Sequence, residues 1–275
     1  MSPWAYAPGM AKRIELEDVT LVYEERPGDS AATIVLVHGL GGSVHSWWAQ
    51  LAACAGRGQR ALAYDQRGAG LSDKPPGPYS VEQWARDLVA LLDALSVERP
   101  ILVGHSVGCM VAQQACVLLG DRARGLLTIG GALRWRDEAA PVFEERVRLA
   151  RAGRMDEIAT TVVGTGLSES RRASDPVLVG LFRELISSND HEAYAECSAA
   201  TAVGQMTHTE KVACPVLASC GEHDPVAPPA FAEAIAEAVP DGRTAVVAGA
   251  AHWCQIEEPA SVNEILLGFA DELAT

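Results

Sequence analysis

Short apolar runs alternate with amphipathic stretches along most of the chain. Six runs of strand length recur: IVLVHG (34–39), ALAYD (61–65), ILVGH (101–105), GLLTIG (125–130), PVLASCG (215–221) and TAVVAG (244–249). They are rich in Val, Ile, Leu and Ala, as strands buried on both faces are, and helical patterns separate them. A mostly parallel central sheet covered by helices on both faces is therefore predicted, an α/β fold. Ahead of it, RIELEDVTLVYEER (13–26) alternates apolar and polar positions and reads as an antiparallel hairpin feeding that sheet. In SVEQWARDLVALLDAL (80–95), Val81, Trp84, Leu88, Leu91, Leu92 and Leu95 share one helical stripe behind Ser80, a suitable N-cap.

The rhythm breaks after Gly131. APVFEERVRLARAG (140–153), MDEIATTVVG (155–164), DPVLVGLFRELISS (175–188) and HEAYAECSAATAVGQM (191–206) are all helical in pattern, with no strand-like run between them. The expectation is one α/β core, residues 1–131 and 209–275, interrupted by an all-helical lid subdomain at 132–208. No internal repeat or low-complexity segment is visible.

Composition narrows the classes of partner. A chain of 275 residues with 48% hydrophobic content can bury a large single core. Its net charge of −14 repels nucleic acid and anionic membranes, so neither is expected as a partner. Residues 1–20 carry no leader pattern and no run is long enough to span a membrane, so a cytoplasmic location is expected. Seven cysteines without CxxC spacing argue against a disulfide framework or a zinc site and read as small buried apolar residues. The chain is expected to be a monomer or homodimer.

The candidate chemistry starts at ILVGHSVGCM (101–110), where an apolar strand runs into Gly104-His105-Ser106-Val107-Gly108 and then a helical pattern. A chance GxSxG occurs in roughly one chain in ten of this size, so the motif alone is weak. Its strand-before, helix-after setting is what a sharp elbow needs to lift Ser106 out of the sheet, with Gly104 and Gly108 allowing strand and helix to approach. A serine hydroxyl is a poor nucleophile. It needs a base to take its proton, an acid to orient that base, and donors to hold the oxyanion. His252 in GAAHWCQIEEP follows the last strand-like run, and Asp224 in CGEHDPVAPP follows the one before, with Glu222 as the fallback acid. The end of the run before the lid, TIGGALRW, offers no carboxylate. For the oxyanion, the amide of Val107 opens a helix, and HGLGGS (38–43) supplies a second amide at Leu40. His38, Asp65 and Arg67 read as residues that fix loops, and His105 should point away from Ser106.

HGLGGS, DQRGAGLS (65–72), GHSVG, GEHDPVAPP and AHWCQIEEP occur in this order over nearly the whole chain, and together they resemble the α/β-hydrolase superfamily. The order Ser106, Asp224, His252 is the one found there. The resemblance implies the α/β-hydrolase fold, a Ser106-Asp224-His252 triad, an oxyanion hole at Leu40 and Val107, and no cofactor or metal. Cys109 departs from the glycine that many relatives carry, and its small side chain should leave the elbow intact. KPPGPYSVEQWARDLVALLDAL (74–95), GHSVGCMVAQ and HEAYAECSAA (191–200) further resemble 3-oxoadipate enol-lactonases and related small-ester hydrolases.

That resemblance implies cleavage of a small ester or lactone through an acyl-enzyme, the substrate bearing a carboxylate in the enol-lactonases. Residues 132–183 hold nine Arg against eight Asp or Glu, a net of +1 that leaves −15 for the remainder. Arg134 and Arg136 could engage such an acid, although they equally suit surface ion pairs. Trp135 at the lid's root and Trp253 beside the base are further candidate substrate contacts. Three alternatives stay open. HWCQIE (252–257) also resembles C–C bond hydrolases of meta-cleavage products, cofactor-free perhydrolases or haloperoxidases use the same triad, and a non-catalytic ligand receptor could retain it.

Overall fold

The structure is a computed structural model that describes residues 11–274. The first ten residues, half of the stretch in which no leader pattern is read, lie outside the described residues. Eight strands form one sheet: β1 (Lys12–Glu15), β2 (Thr20–Arg26), β3 (Thr33–Val37), β4 (Ala61–Asp65), β5 (Pro100–His105), β6 (Gly125–Ile129), β7 (Val216–Gly221) and β8 (Gly242–Val247), in the order β1-β2-β4-β3-β5-β6-β7-β8. The predicted hairpin is β1 and β2, and β2 pairs antiparallel with β4. From β4 onward every pair is parallel.

Period-2 alternation divides the central strands between two cores. Val35, Val37, Leu102 and Leu126 face one side, packed by α2 (Val81–Ala94), α3 (Val107–Leu119) and later α9 (Pro229–Ala238). Ile34, Leu36, Ile101, Val103, Leu127 and Ile129 face the other, against α1 (Trp48–Gly56) and α11 (Pro259–Leu273). Ser80 caps α2 as read from sequence, its hydroxyl accepting from Gln83 N–H. Both faces of β3 to β7 are dry, which is why those five runs show no alternation of apolar and polar residues, while β8 at the sheet edge is mostly exposed.

Between β6 and β7 lie five helices, α4 (Ala140–Arg151), α5 (Met155–Gly166), α6 (Glu169–Ser174), α7 (Pro176–Ser187) and α8 (His191–Ala202). The two ends of this insertion meet at its root, where Arg134 bridges to Gln205 and Met206 N–H donates to Leu133 O at 2.7 Å. Its core is Leu149, Ile158, Val162, Phe182, Ile186 and Tyr194, and Trp253 joins it from the sheet side. Helix α6, ESRRAS, was not legible because it has no apolar stripe. It is held instead by its cap, Ser168 Oγ accepting from Arg171 N–H. A four-residue helix α10 (Cys254–Glu257) precedes α11.

Helix α3 passes so close to the sheet that a Cβ on Gly108 would lie 2.4 Å from Val37 O. That oxygen is backbone in a buried strand and cannot step aside. Gly108→Ala should therefore destabilise the fold by about 1–3 kcal/mol, although alanine is the better helix former. Urea denaturation checks this, and a variant as stable as the native protein would contradict the close-packing account.

Candidate active site

Ser106 joins β5 to α3 with φ 54° and ψ −123°, a region that side-chain-bearing residues rarely occupy. A non-glycine residue there costs of order 1–3 kcal/mol and persists only where neighbours over-determine it. Here they do. Ser106 N–H donates to Ile129 O at 2.9 Å, and Ser106 O accepts from Cys109 N–H at 2.9 Å. Cys109 fills the remaining space with its thiol donating to Gly104 O at 3.1 Å, and burial pushes that thiol's pKa well up, so it stays a neutral packing group.

The loops after β7 and β8 bring two further groups to Ser106. Asp224 Oδ1 accepts from the amides of Val226 and Ala227, both at 2.8 Å, which leaves Oδ2 aimed at His252 Nδ1, also at 2.8 Å. A carboxylate only accepts, so Nδ1 carries the proton and Nε2 is left as an acceptor. Nε2 lies 3.1 Å from Ser106 Oγ, which donates to it. All three residues are buried. Such an arrangement can move a proton from Oγ to Nε2 while the carboxylate stabilises the imidazolium that forms.

His105 sits beneath this chain, fully buried between the rings of His252 and Trp253. Its Nε2–H donates to His252 O at 3.0 Å, so it points away from Ser106 and anchors the backbone of the neighbouring histidine. Burial, with the proximity of His252, pushes its pKa well below 6.5. His38 is also buried, with Nδ1–H donating to Gly39 O at 2.8 Å and Nε2 accepting from Gln66 N–H at 3.0 Å. Its pKa is lowered by burial against an opposing effect of Asp65. In HGLGGS the turn closes through Gly42 N–H to Gly39 O at 3.0 Å. Among the described residues the amides of Leu40 and Val107 have no hydrogen-bond acceptor, and both line a small cavity of about 20 Å³.

The surrounding loops are tied by charge-assisted bonds. Asp65 accepts from Val44 N–H and Leu71 N–H, each at 2.7 Å. The buried Arg67 guanidinium spans Asp87 and Asp18, and these carboxylates raise its pKa while Arg67 holds that of Asp18 down. Of the other sequence candidates, Arg134 is exposed and pairs with Asp137 at 3.1 Å. Trp135 is buried against Phe143, and Trp253 is buried between His105 and Phe182. None of the three lines the cavity beside Leu40 and Val107.

Three residues that sequence reasoning passed over bear directly on this geometry. Gly130, in TIGG, has φ 60°, and a Cβ there would stand 3.1 Å from His252 Nδ1 and 3.2 Å from Asp224 Oδ2. The buried Glu257 carboxylate accepts from Ala251 N–H at 2.8 Å and from Ser168 N–H at 2.9 Å, tying the His252 loop to the insertion. Asn189, just past α7, donates to Gly41 O at 3.0 Å and so ties the insertion to the HGLGGS turn. The double glycine was a visible signal, whereas nothing in IEEP says which glutamate turns inward.

Residues 32–259 match the family model described as the alpha/beta hydrolase fold, and the chain belongs to that family. Among curated relatives, a RutD protein of Enterobacter cloacae, provisionally named a carbamate hydrolase, is 27% identical over 88% of this chain and 92% of its own. The 3-oxoadipate enol-lactonase 2 of Acinetobacter baylyi is 25% identical over 90% and 91% of the two chains. Among solved structures, the enol-lactonase from Burkholderia xenovorans LB400 superposes with a TM-score of 0.88 at 26% identity, covering 94% of this chain and all of the other. Among the described residues no helix is long and apolar enough to cross a membrane.

Two outcomes follow from this packing. An unfolded histidine binds a proton near pH 6.5 while folded His38 and His105 resist it, so the unfolded state holds more protons and stability is lost as pH falls below about 6.5. The Tm should drop between about pH 7.5 and about pH 5.5, less steeply in His105→Asn. Equal slopes would mean that His105 does not contribute. Glu257→Gln leaves one buried N–H facing an amide NH2 and should cost about 1–3 kcal/mol by urea denaturation. A neutral effect would show that the carboxylate does not hold the two segments together.

Proposed function

We propose that the chain is a serine hydrolase that cleaves a small carboxylic ester or lactone through an acyl-enzyme on Ser106. The observation that carries this reading is the unbroken hydrogen-bond chain from Asp224 through His252 to Ser106 Oγ, with two unpaired amides beside it. In this reading Oγ attacks the substrate carbonyl as its proton passes to His252 Nε2. The tetrahedral oxyanion is held by the amides of Leu40 and Val107, the latter at the positive end of α3. Collapse expels the alkoxide, which takes the proton from Nε2. Water then attacks the acyl carbon with His252 again as base, and the acid leaves with Ser106 restored. Asp224 keeps the imidazole in the required tautomer throughout, and the helical insertion acts as the lid that decides which carbonyl reaches Oγ.

The names of similar proteins support the reaction class, an enol-lactonase and an esterase from Thermogutta terrifontis among them. A fluorophosphonate tests the nucleophile. The expected result is one covalent adduct on the native chain and none on Ser106→Ala, and an unlabelled native chain would overturn the reading in favour of a non-catalytic receptor. A panel of small lactones, p-nitrophenyl esters, a carbamate and a coloured dienoate tests the bond cleaved. Turnover of esters or lactones is expected, and turnover of the dienoate alone would assign C–C bond hydrolysis instead.

A further inference from the structure

Glu257 carries a buried carboxylate that no step of the mechanism above uses. It is 2% exposed, and among the described residues no Lys, Arg or His forms an ion pair with it. Taking a carboxylate out of water is costly, so its hydrogen bonds must account for its place there. Oε2 accepts from Ala251 N–H at 2.8 Å, the amide one residue before His252. Oε1 accepts from Ser168 N–H at 2.9 Å, in the turn between α5 and α6 of the insertion. An apolar side chain of equal size would leave both amides without an acceptor, and a carboxamide would turn donor hydrogens toward one of them.

The same turn grips the other side of His252. Trp253 N–H donates to Gly166 O at 2.9 Å, and a Cβ on Gly166 would stand 2.8 Å from Trp253 Cδ1, so turn and loop are in direct contact. The amides that precede and follow His252 are therefore both fixed against residues 166–168, one directly and one through Glu257. His105 Nε2–H, donating to His252 O at 3.0 Å, adds a tie from the core. A shift of the Ala251 amide carries the imidazole with it, and Nε2 already stands 3.1 Å from Ser106 Oγ, close to the limit of hydrogen-bond reach. We propose that Glu257 is a positioning residue that holds His252 in line with Ser106 by joining its loop to the α5–α6 turn. The proposal rests on the reading of Ser106 as nucleophile, and it gives the insertion a part in aligning the base.

Two variants break the link from opposite ends. Glu257→Gln keeps the size of the side chain. Ser168→Pro deletes the insertion's N–H at a residue whose φ of −62° a proline ring adopts, after Leu167 in the extended conformation that suits the residue before proline. Ser168→Ala is the reference, because it removes the hydroxyl and keeps the N–H. With p-nitrophenyl acetate, at a temperature where circular dichroism shows each variant folded, kcat should fall about ten-fold in Glu257→Gln against the native chain and in Ser168→Pro against Ser168→Ala, with KM within about two-fold. Unchanged kcat, a loss carried by KM, or a Ser168→Ala as slow as Ser168→Pro overturns the proposal. The proton on His252 Nδ1 gives a readout that needs no turnover. Its bond to Asp224 at 2.8 Å deshields it, and its NMR resonance, assigned by its loss in His252→Ala, should move or broaden in Glu257→Gln and in Ser168→Pro. An unmoved resonance overturns the proposal. A native chain that takes no fluorophosphonate adduct would overturn the nucleophile reading alone, since the resonance still reports whether Glu257 fixes His252.

Discussion

The close approach of α3 to the centre of the sheet is the constraint on which the rest depends. Gly108 lies against Val37 O, and the turn that delivers α3 to that position forces Ser106 to a positive φ. The same turn leaves the amide of Val107 at a helix N-terminus without an acceptor, where the dipole is positive. Strain, hydroxyl placement and an anion-seeking amide are thus three consequences of one steric fact. β3 and β6 hold the elbow from both sides, β3 through the Val37 contact and β6 through Ile129 O.

The helical insertion is attached to the core at more than its root. Asn189 grips Gly41 beside the Leu40 amide, while Glu257 and the bond from Trp253 N–H to Gly166 O, at 2.9 Å, grip the loop that carries His252. Both segments flanking Ser106 are therefore hydrogen-bonded to the element that covers them. Movement of the insertion would break bonds that position the turn and the histidine. Buried backbone N–H groups make those bonds costly to lose without replacement.

The mostly parallel sheet was legible because dry strands need continuous apolar runs, and the elbow because its geometry demands glycine at fixed spacing, whereas the order of strands came only from the structure. Ser106, Asp224 and His252 come together because each follows the C-terminal end of a strand, where side chains from distant loops converge. Residues that act through backbone contacts were not legible. Glu257 looks like Glu258 in sequence, and only folding decides that one accepts two buried amides while the other pairs with Arg171. Helix α6 escaped because a cap and not an apolar stripe holds it. Trp135 and Trp253 look like pocket walls beside their motifs, and both are packed into cores.

The proposed acyl-enzyme on Ser106 would be common to every ester of a given acid. Partitioning between water and added methanol tests it most directly, using esters of the same acid with different leaving alcohols. A common intermediate predicts the same ratio of methyl ester to free acid whatever the leaving group. A ratio that changes with the leaving group would contradict it, because attack would then occur on the intact substrate.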